Sequence, residues 1–424
     1  MGIDHLLEFL GESVTAFHAA AAIVRRLEAA GFRSIDESKE LEVEPGSGYY
    51  IRRGDASVVA FRVGRKPPYE TGFAVAGAHT DSPSLRVKYP ATDETEGYRT
   101  LPIEIYGGPI VSTWLDRSLG LAGRVVYRGE NGRPAATLIA SGRPVGTIPN
   151  AAIHLNREVN KGFEYNQQDH LKVIVGSDAV EPLKLIAELA GVEADTVIDA
   201  DLYFYDVQSP ERFGADGEFF TAGRIDNLAG CFTVLEGLLS AEPSDHCQLA
   251  CLFDNEEVGS RTAHGADSGF LTTVMDRLVL ATGGGLEQTF TARARSFLVS
   301  NDGAHAVHPN YASKHDPSFK PSLNGGPVIK ISGGRRYTSD GVSSARFAAL
   351  CDAADVPYQR FYNRSDMRSG STIGPIASSR AEILSVDVGV PMLAMHSIRE
   401  TGGSNDAESL AAALRRFYVE GPRL

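Results

Sequence analysis

Apolar residues recur at helical spacing over 5–11 and again over 13–30, where Gly31 offers a stop, and predict two N-terminal helices. Short apolar runs at 57–63 and 72–79 read as strands. From about residue 86 to 220 the pattern fragments. β-rich pieces at 101–106, 121–127, 136–139 and 201–207 are broken by Gly, Pro and Asn, and only 180–189 keeps a helical period. After Ala222 longer elements alternate: helix over 227–239, strands over 247–253, 277–281 and 296–300, then helices over 341–354 and 407–418. Alternation of this kind predicts an α/β fold, a helix-covered, mainly parallel sheet. The expected organisation is a discontinuous catalytic domain, 1–85 and 222–424, interrupted by a smaller β-rich domain at 86–221.

Composition narrows the class. Hydrophobic content of 42% and charged content of 22% over 424 residues describe an ordinary soluble globular chain with room for two cores. A formal net charge of −13 disfavours nucleic acid and anionic membrane as partners, and long-range attraction would not favour an acidic substrate. No apolar run approaches the roughly 20 residues of a membrane span, and the N-terminal stretch reads as no signal peptide. Cys231, Cys247, Cys251 and Cys351 are scattered without a disulfide-like framework, so free thiols in a reducing cytoplasm are expected.

The chemistry lies where apolar runs stop. Residues 73–78 end on His79, the stretch before Asn227 closes on Asp226, 247–253 runs into Asp254-Asn255-Glu256-Glu257, 297–301 ends on Asp302, and 391–395 ends on His396. Carboxylate oxygens mixed with imidazole nitrogens suit zinc, or a similar divalent ion such as cobalt or manganese. Two ions can share this set if one Asp bridges and each ion gains a His and a carboxylate. That leaves one Glu of the adjacent pair free, and a dinuclear hydrolase needs a general base beside its activated water. In open α/β sheets ligands bind beyond the carboxyl ends of the strands, where these residues fall.

Taken singly, each residue has a plainer explanation. His79 and His396 read as core histidines, Asp226 as the N-cap of the next helix, and the His305-Ala306-Val307-His308 loop as polar surface. Asp81 is placed to accept the second ring N–H of His79. The Glu256-Glu257 pair resists dismissal, because adjacent acids after a buried strand repel unless a cation intervenes; strand alternation would send one inward and the other outward. Ser369 to Pro375 reads as a helix N-terminus able to meet an anion, with Asp366 and Arg368 as a neighbouring ion pair.

These residues occur in recognisable motifs: Ala78-His79-Thr80-Asp81-Ser82-Pro83, Arg224-Ile225-Asp226-Asn227, Asp254-Asn255-Glu256-Glu257-Val258-Gly259-Ser260, Asp302-Gly303-Ala304-His305, Gly326-Pro327-Val328-Ile329-Lys330, Gly370-Ser371-Thr372-Ile373-Gly374-Pro375 and Met395-His396-Ser397-Ile398-Arg399-Glu400. In that order, over nearly the whole chain, they resemble the aspartyl aminopeptidase (aminopeptidase I) family, and the 364–370 segment resembles its bacterial members. The resemblance implies a dizinc exopeptidase of the zinc-exopeptidase fold, acting on short peptides, with an inserted oligomerisation domain and a homo-oligomer assembled from dimers into a tetrahedral dodecamer. It implies one zinc on His79, Asp226 and Asp302, a second on Asp226, Glu257 and His396, and Glu256 as general base. It further implies substrate contacts by His305 and Lys330, and by His154 lent from a neighbouring subunit. Asn150 departs from the pattern, standing where animal members carry another histidine. Among enzymes, the readings left open are an aminopeptidase of neutral residues and a deacylase of N-acyl amino acids. A non-catalytic assembly protein is the third.

Overall fold

The computed structural model describes residues 2–422, and the chain divides into two compact units. The first comprises Met1–Asp81, Pro210–Met395 and Glu400–Leu424; the second comprises Ser82–Ser209 with His396–Arg399.

The first unit is built on a nine-stranded mixed sheet. Its strand order is Arg33–Ser34, Gly48–Arg53, Ser57–Arg62, Cys247–Phe253, Phe73–His79, Phe297–Asn301, Leu384–Gly389, Val328–Ile331 and Gln359–Tyr362. The middle strands, Cys247–Phe253 through Leu384–Gly389, are mutually parallel. Cys247–Phe253, Phe73–His79 and Phe297–Asn301 are buried at every position, which is why they read as unbroken apolar runs. Their alternate side chains serve two cores. Ala74, Ala76 and Ala78 join Leu228, Phe232 and Leu235 of the helix Ile225–Ser240, whereas Phe73 and Val75 join Val274 and Leu278 of the helix Phe270–Ala281. The small residues on the first face leave room for a helix buried along almost its full length.

That second helix corrects one expectation. Residues 277–281 are not a strand but the last turn and a half of Phe270–Ala281, whose buried Leu271, Val274, Met275, Leu278 and Val279 follow a helical period. A five-residue apolar run carries no period of its own, so the window was too short to decide.

A smaller five-stranded sheet in the same unit has the order Glu211–Phe213, Phe219–Ala222, Glu400–Gly403, Pro391–Leu393 and Ala304–His305. It draws residues 210–221 into the first unit, where the sequence pattern had assigned them to the insertion.

The second unit is β-rich. An antiparallel sheet runs Pro134–Ala140, Leu119–Arg128, Val197–Asp206, Ser84–Val87 and Ile103–Tyr106, and a three-stranded one runs Val173–Ser177, Tyr98–Leu101 and Asp93–Thr95. The piece read as one strand over 101–106 is thus two, in different sheets, separated at Pro102, which has no N–H for a ladder. Leu85, Trp114, Leu121, Ile186 and Phe204 share its core. Among the described residues no helix is long and apolar enough to cross a membrane.

Candidate metal centre

Register sets the centre. Phe253 lies opposite His79, and Ser300 opposite Gly77, so the carboxyl ends of three neighbouring parallel strands finish level with one another. His79 ends the middle strand, Asp302 leaves one neighbour, and Glu256 and Glu257 leave the other. Asp226 stands at the start of the helix Ile225–Ser240, with φ −79° and ψ 110° rather than helical dihedrals. It is not the N-cap that its sequence context allows.

The side chains converge. His79 Nε2 lies 3.4 Å from Asp226 Oδ1 and 3.3 Å from Asp302 Oδ1. One ligand atom each from His79, Asp226 and Glu257 lies within 4.8 Å of the other two. Two ligands bound tetrahedrally to one zinc at about 2.0–2.1 Å must themselves be about 3.3–3.4 Å apart, the separation His79 keeps from each aspartate. The electrostatics agree. Burial works to lower the His79 pKa, but bonds to Asp226, Asp302 and Asp81 prevail and raise it well above the ordinary value. The carboxylates therefore demand a positive charge, which a divalent cation supplies better than a proton does. The donor set and its spacing fit zinc.

Asp81 does more than expected. Its backbone oxygen lies 3.1 Å from His79 Nδ1 and its Oδ1 3.4 Å from the same nitrogen. Its carboxylate also accepts the N–H groups of Glu256 and Glu257, each at 3.1 Å. One buried acid thus orients the histidine and the Glu-Glu segment together. That segment is a short 3₁₀ turn, Glu256–Val258, so strand alternation does not separate the two glutamates as the sequence pattern implied. Burial pushes the Glu256 pKa up to about 8; His79 opposes the shift, and Asp302, Asp81 and Asp226 add to it.

Glu400 escaped the sequence reading. It is 1% exposed, and its Oε2 accepts the Asp226 N–H at 2.9 Å. Its signal in the sequence was its place at the end of the Met395–Glu400 motif. Lys330 is also buried, at 2% exposure, with Nζ donating to the carbonyls of Asp302 (2.9 Å) and Gly303 (3.1 Å) and lying 5.1 Å from the Tyr337 ring centre. Burial opposes its charge, yet Asp302 and other nearby acids hold its pKa above the ordinary value. His305 is exposed at the end of Ala304–His305, edge-on to Phe361 at 5.9 Å.

His396 and His154 belong to the second unit. His396 is half-buried with φ 69°, and its Nδ1 is 3.0 Å from the Gly108 carbonyl, an arrangement that directs a lone pair to Nε2. His154 is exposed in a turn at 153–155. Asn150 binds Asp116 through both its backbone N–H and its side-chain amide, at 2.9 and 2.7 Å.

Two lesser expectations change. Asp366 pairs with Arg364 at 2.8 Å instead of Arg368. The helix Ile373–Ala381 already meets an anion of the protein's own, because its N-cap Thr372 donates to Asp387 at 2.7 Å.

Comparison with known proteins follows the geometry. Residues 9–418 match the family model described as Aminopeptidase I zinc metalloprotease (M18). A probable M18 family aminopeptidase 2 of Clostridium novyi is 45% identical over 423 residues, covering 98% of each chain. Among solved structures, the Ape4 and Nbr1 complex contains a chain superposing with a TM-score of 0.95 at 33% identity, over 98% of this chain and 85% of that one. The mApe1 dodecamer of S. cerevisiae gives a TM-score of 0.87 at 27% identity, over 98% and 96%. The chain belongs to the M18 family of zinc aminopeptidases.

Proposed function

We propose that the chain removes an N-terminal Asp or Glu from short peptides at a two-zinc centre, with Glu256 carrying the proton. The supporting observation is the approach of Asp226 and Asp302 to one nitrogen of His79, at 3.4 and 3.3 Å, with Glu257 near His79 and Asp226 and Glu256 next to it in a turn set by Asp81. His79, Asp226 and Asp302 would hold one ion, and Asp226, Glu257 and His396 the other. Bound zinc supplies Lewis acidity, polarising the scissile carbonyl and making the attacking water acidic. Glu256 takes the water proton and returns it to the leaving amine. The surrounding carboxylates suit a protonated amino terminus, which favours exopeptidase action.

The acidic preference draws on the aspartyl aminopeptidase resemblance and on Lys330, a buried cation beside Asp302. A buried substrate carboxylate needs such a partner, since desolvation would otherwise cancel its binding. His305 and a neighbour's His154 are proposed as further substrate contacts. One observation favours a second reading, preference for neutral residues: two donors of Lys330 already serve the carbonyls of Asp302 and Gly303. A profile of aminoacyl-coumarins measured with zinc, cobalt and manganese, together with a panel of free and N-acetylated dipeptides, separates the alternatives. The proposal expects Asp and Glu substrates with a free amine to lead, and Lys330→Met to shift the Asp/Leu ratio of kcat/KM by about 10- to 150-fold. Leu substrates leading would establish the neutral reading, a ratio indifferent to Lys330 would overturn the acidic pocket, and acetate released from the acetylated dipeptides would establish a deacylase.

We also infer a cytoplasmic homo-oligomer, a dodecamer like that of the S. cerevisiae relative. The second unit offers Ile153 at 47% and Leu155 at 84% exposure around His154, and all four cysteines are free and buried. A native mass showing only monomer at micromolar concentration would refute the assembly.

A further inference from the structure

Each aspartate assigned to the first ion has an asparagine beside it, in mirror order: Asp226-Asn227 and Asn301-Asp302. Both asparagines are buried, at 2% and 0% exposure. Asn227 Nδ2 donates to the backbone carbonyl of Asn301 at 2.8 Å. In return, Asn301 Nδ2 donates to the Gly230 carbonyl at 3.2 Å and to Thr233 Oγ1 at 2.7 Å, both on the helix that Asp226 opens. The Thr233 hydroxyl passes its own hydrogen to the Gly230 carbonyl at 3.0 Å. Gly230 lies beneath the crossing: a Cβ there would stand 2.2 Å from Asn227 Oδ1, so only glycine admits the amide.

Burying two amides is costly, and an apolar pair would fill the same space without that cost. What the amides add is direction. One hydrogen bond runs from helix start to strand end and two run back, so the two elements can neither slide nor rotate past one another without breaking a buried bond.

We propose that Asn227 and Asn301, with Gly230 and Thr233, form a reciprocal brace that sets the separation of Asp226 and Asp302 and thereby the zinc affinity of the centre. They are positioning residues, and the inference rests on the reading of both aspartates as metal ligands. The test uses the full-length protein and reads zinc affinity by chelator competition, together with the visible spectrum of the cobalt-loaded form. Variants are Asn227→Ala, the near-isosteric Thr233→Val, its conservative counterpart Thr233→Ser, and Asp302→Asn as reference. Loss of an outer partner typically weakens metal binding by about 10- to 100-fold. That loss is expected in Asn227→Ala and Thr233→Val, with an altered cobalt spectrum, while Thr233→Ser stays within about threefold of wild type. If Asn227→Ala does not fold, the Thr233 pair carries the test. Wild-type affinity and spectrum in Thr233→Val, alongside weakened binding in Asp302→Asn, would overturn the brace alone. Wild-type affinity in Asp302→Asn would overturn the ligand assignment and the brace with it.

Discussion

Asp387 and Asp302 stand on or just past neighbouring parallel strands of one sheet, Leu384–Gly389 and Phe297–Asn301, and both are buried. Their surroundings differ in kind. Asp387 accepts four bonds, from the hydroxyls of Ser300, Thr338 and Thr372 and from the Thr338 N–H, at 2.6–2.8 Å. Its charge is spread over fixed dipoles, and it ties the 338–340 and 372–374 segments to the sheet. Asp302 instead meets an imidazole that it shares with Asp226, and Glu257 lies near that imidazole and Asp226. Like charges gathered around one imidazole are tolerable only with a cation. A buried acid ringed by hydroxyls and amides is therefore structural, whereas buried acids that converge on one another mark a site for chemistry.

The largest effect expected is on turnover. Glu256→Gln should leave zinc content unchanged and lower kcat by about 10²-fold or more, because only the proton carrier is lost. Near wild-type turnover by a zinc-loaded Glu256→Gln protein would remove Glu256 from the mechanism.

The second prediction sets the two acids against each other in metal-free protein, by urea unfolding. Asp387→Ala strands several buried donors and should cost about 3 kcal/mol or more. Asp302→Ala relieves repulsion of Glu256 but withdraws charge that supports His79 and Lys330, and with these effects opposed it should cost less than Asp387→Ala. Zinc retention should reverse the order, with Asp302→Ala the weaker binder. Equal unfolding costs would erase the distinction between structural and functional acids.

Asp406 is an intermediate case. It is fully buried at the start of the helix Asp406–Glu420 and, among the described residues, accepts the N–H groups of Asn324 (2.7 Å) and Gly326 (2.8 Å). Burial pushes its pKa up to about 7, against the pull of those two bonds. A carboxyl whose folded pKa is raised contributes stability that is present below its unfolded pKa of about 4 and lost as pH rises through about 7. Between pH 5 and 8 the wild type should lose about 2.5 kcal/mol on this account, and Asp406→Asn should lack that slope. Parallel pH profiles for the two proteins would place the pKa in the ordinary carboxylate range. Smallest of all, Ser300→Ala deletes one of the Asp387 donors and should cost about 1 kcal/mol, with zinc affinity unaltered.

Much of this was legible in the sequence because the parallel strands are buried on both faces, so each run stops where the fold opens to chemistry. His79, Asp302 and the Glu-Glu pair could be found by that rule. The M18 family and the helix-covered, mainly parallel sheet were also foreseeable, from motif order and from alternation. What stayed hidden depended on pairings distant in sequence. Glu400 reaches Asp226 across 174 positions, and Asn301 reaches Gly230 across 71. Asp387 carries no signal of its role in the sequence, because its hydroxyl partners come from three separate segments. Residues 277–281 misled for the opposite reason: a short run seen without the rest of its helix has no period to read.

The most direct measurement is zinc content per chain, by mass spectrometry of protein purified without chelator and reconstituted, for wild type and Asp226→Asn. If Asp226 bridges two ions, wild type should hold about two equivalents and the variant should lose both to a competing chelator that leaves the wild type loaded. Two equivalents retained by both proteins, or none taken up by an inactive wild type, would contradict the centre as built here.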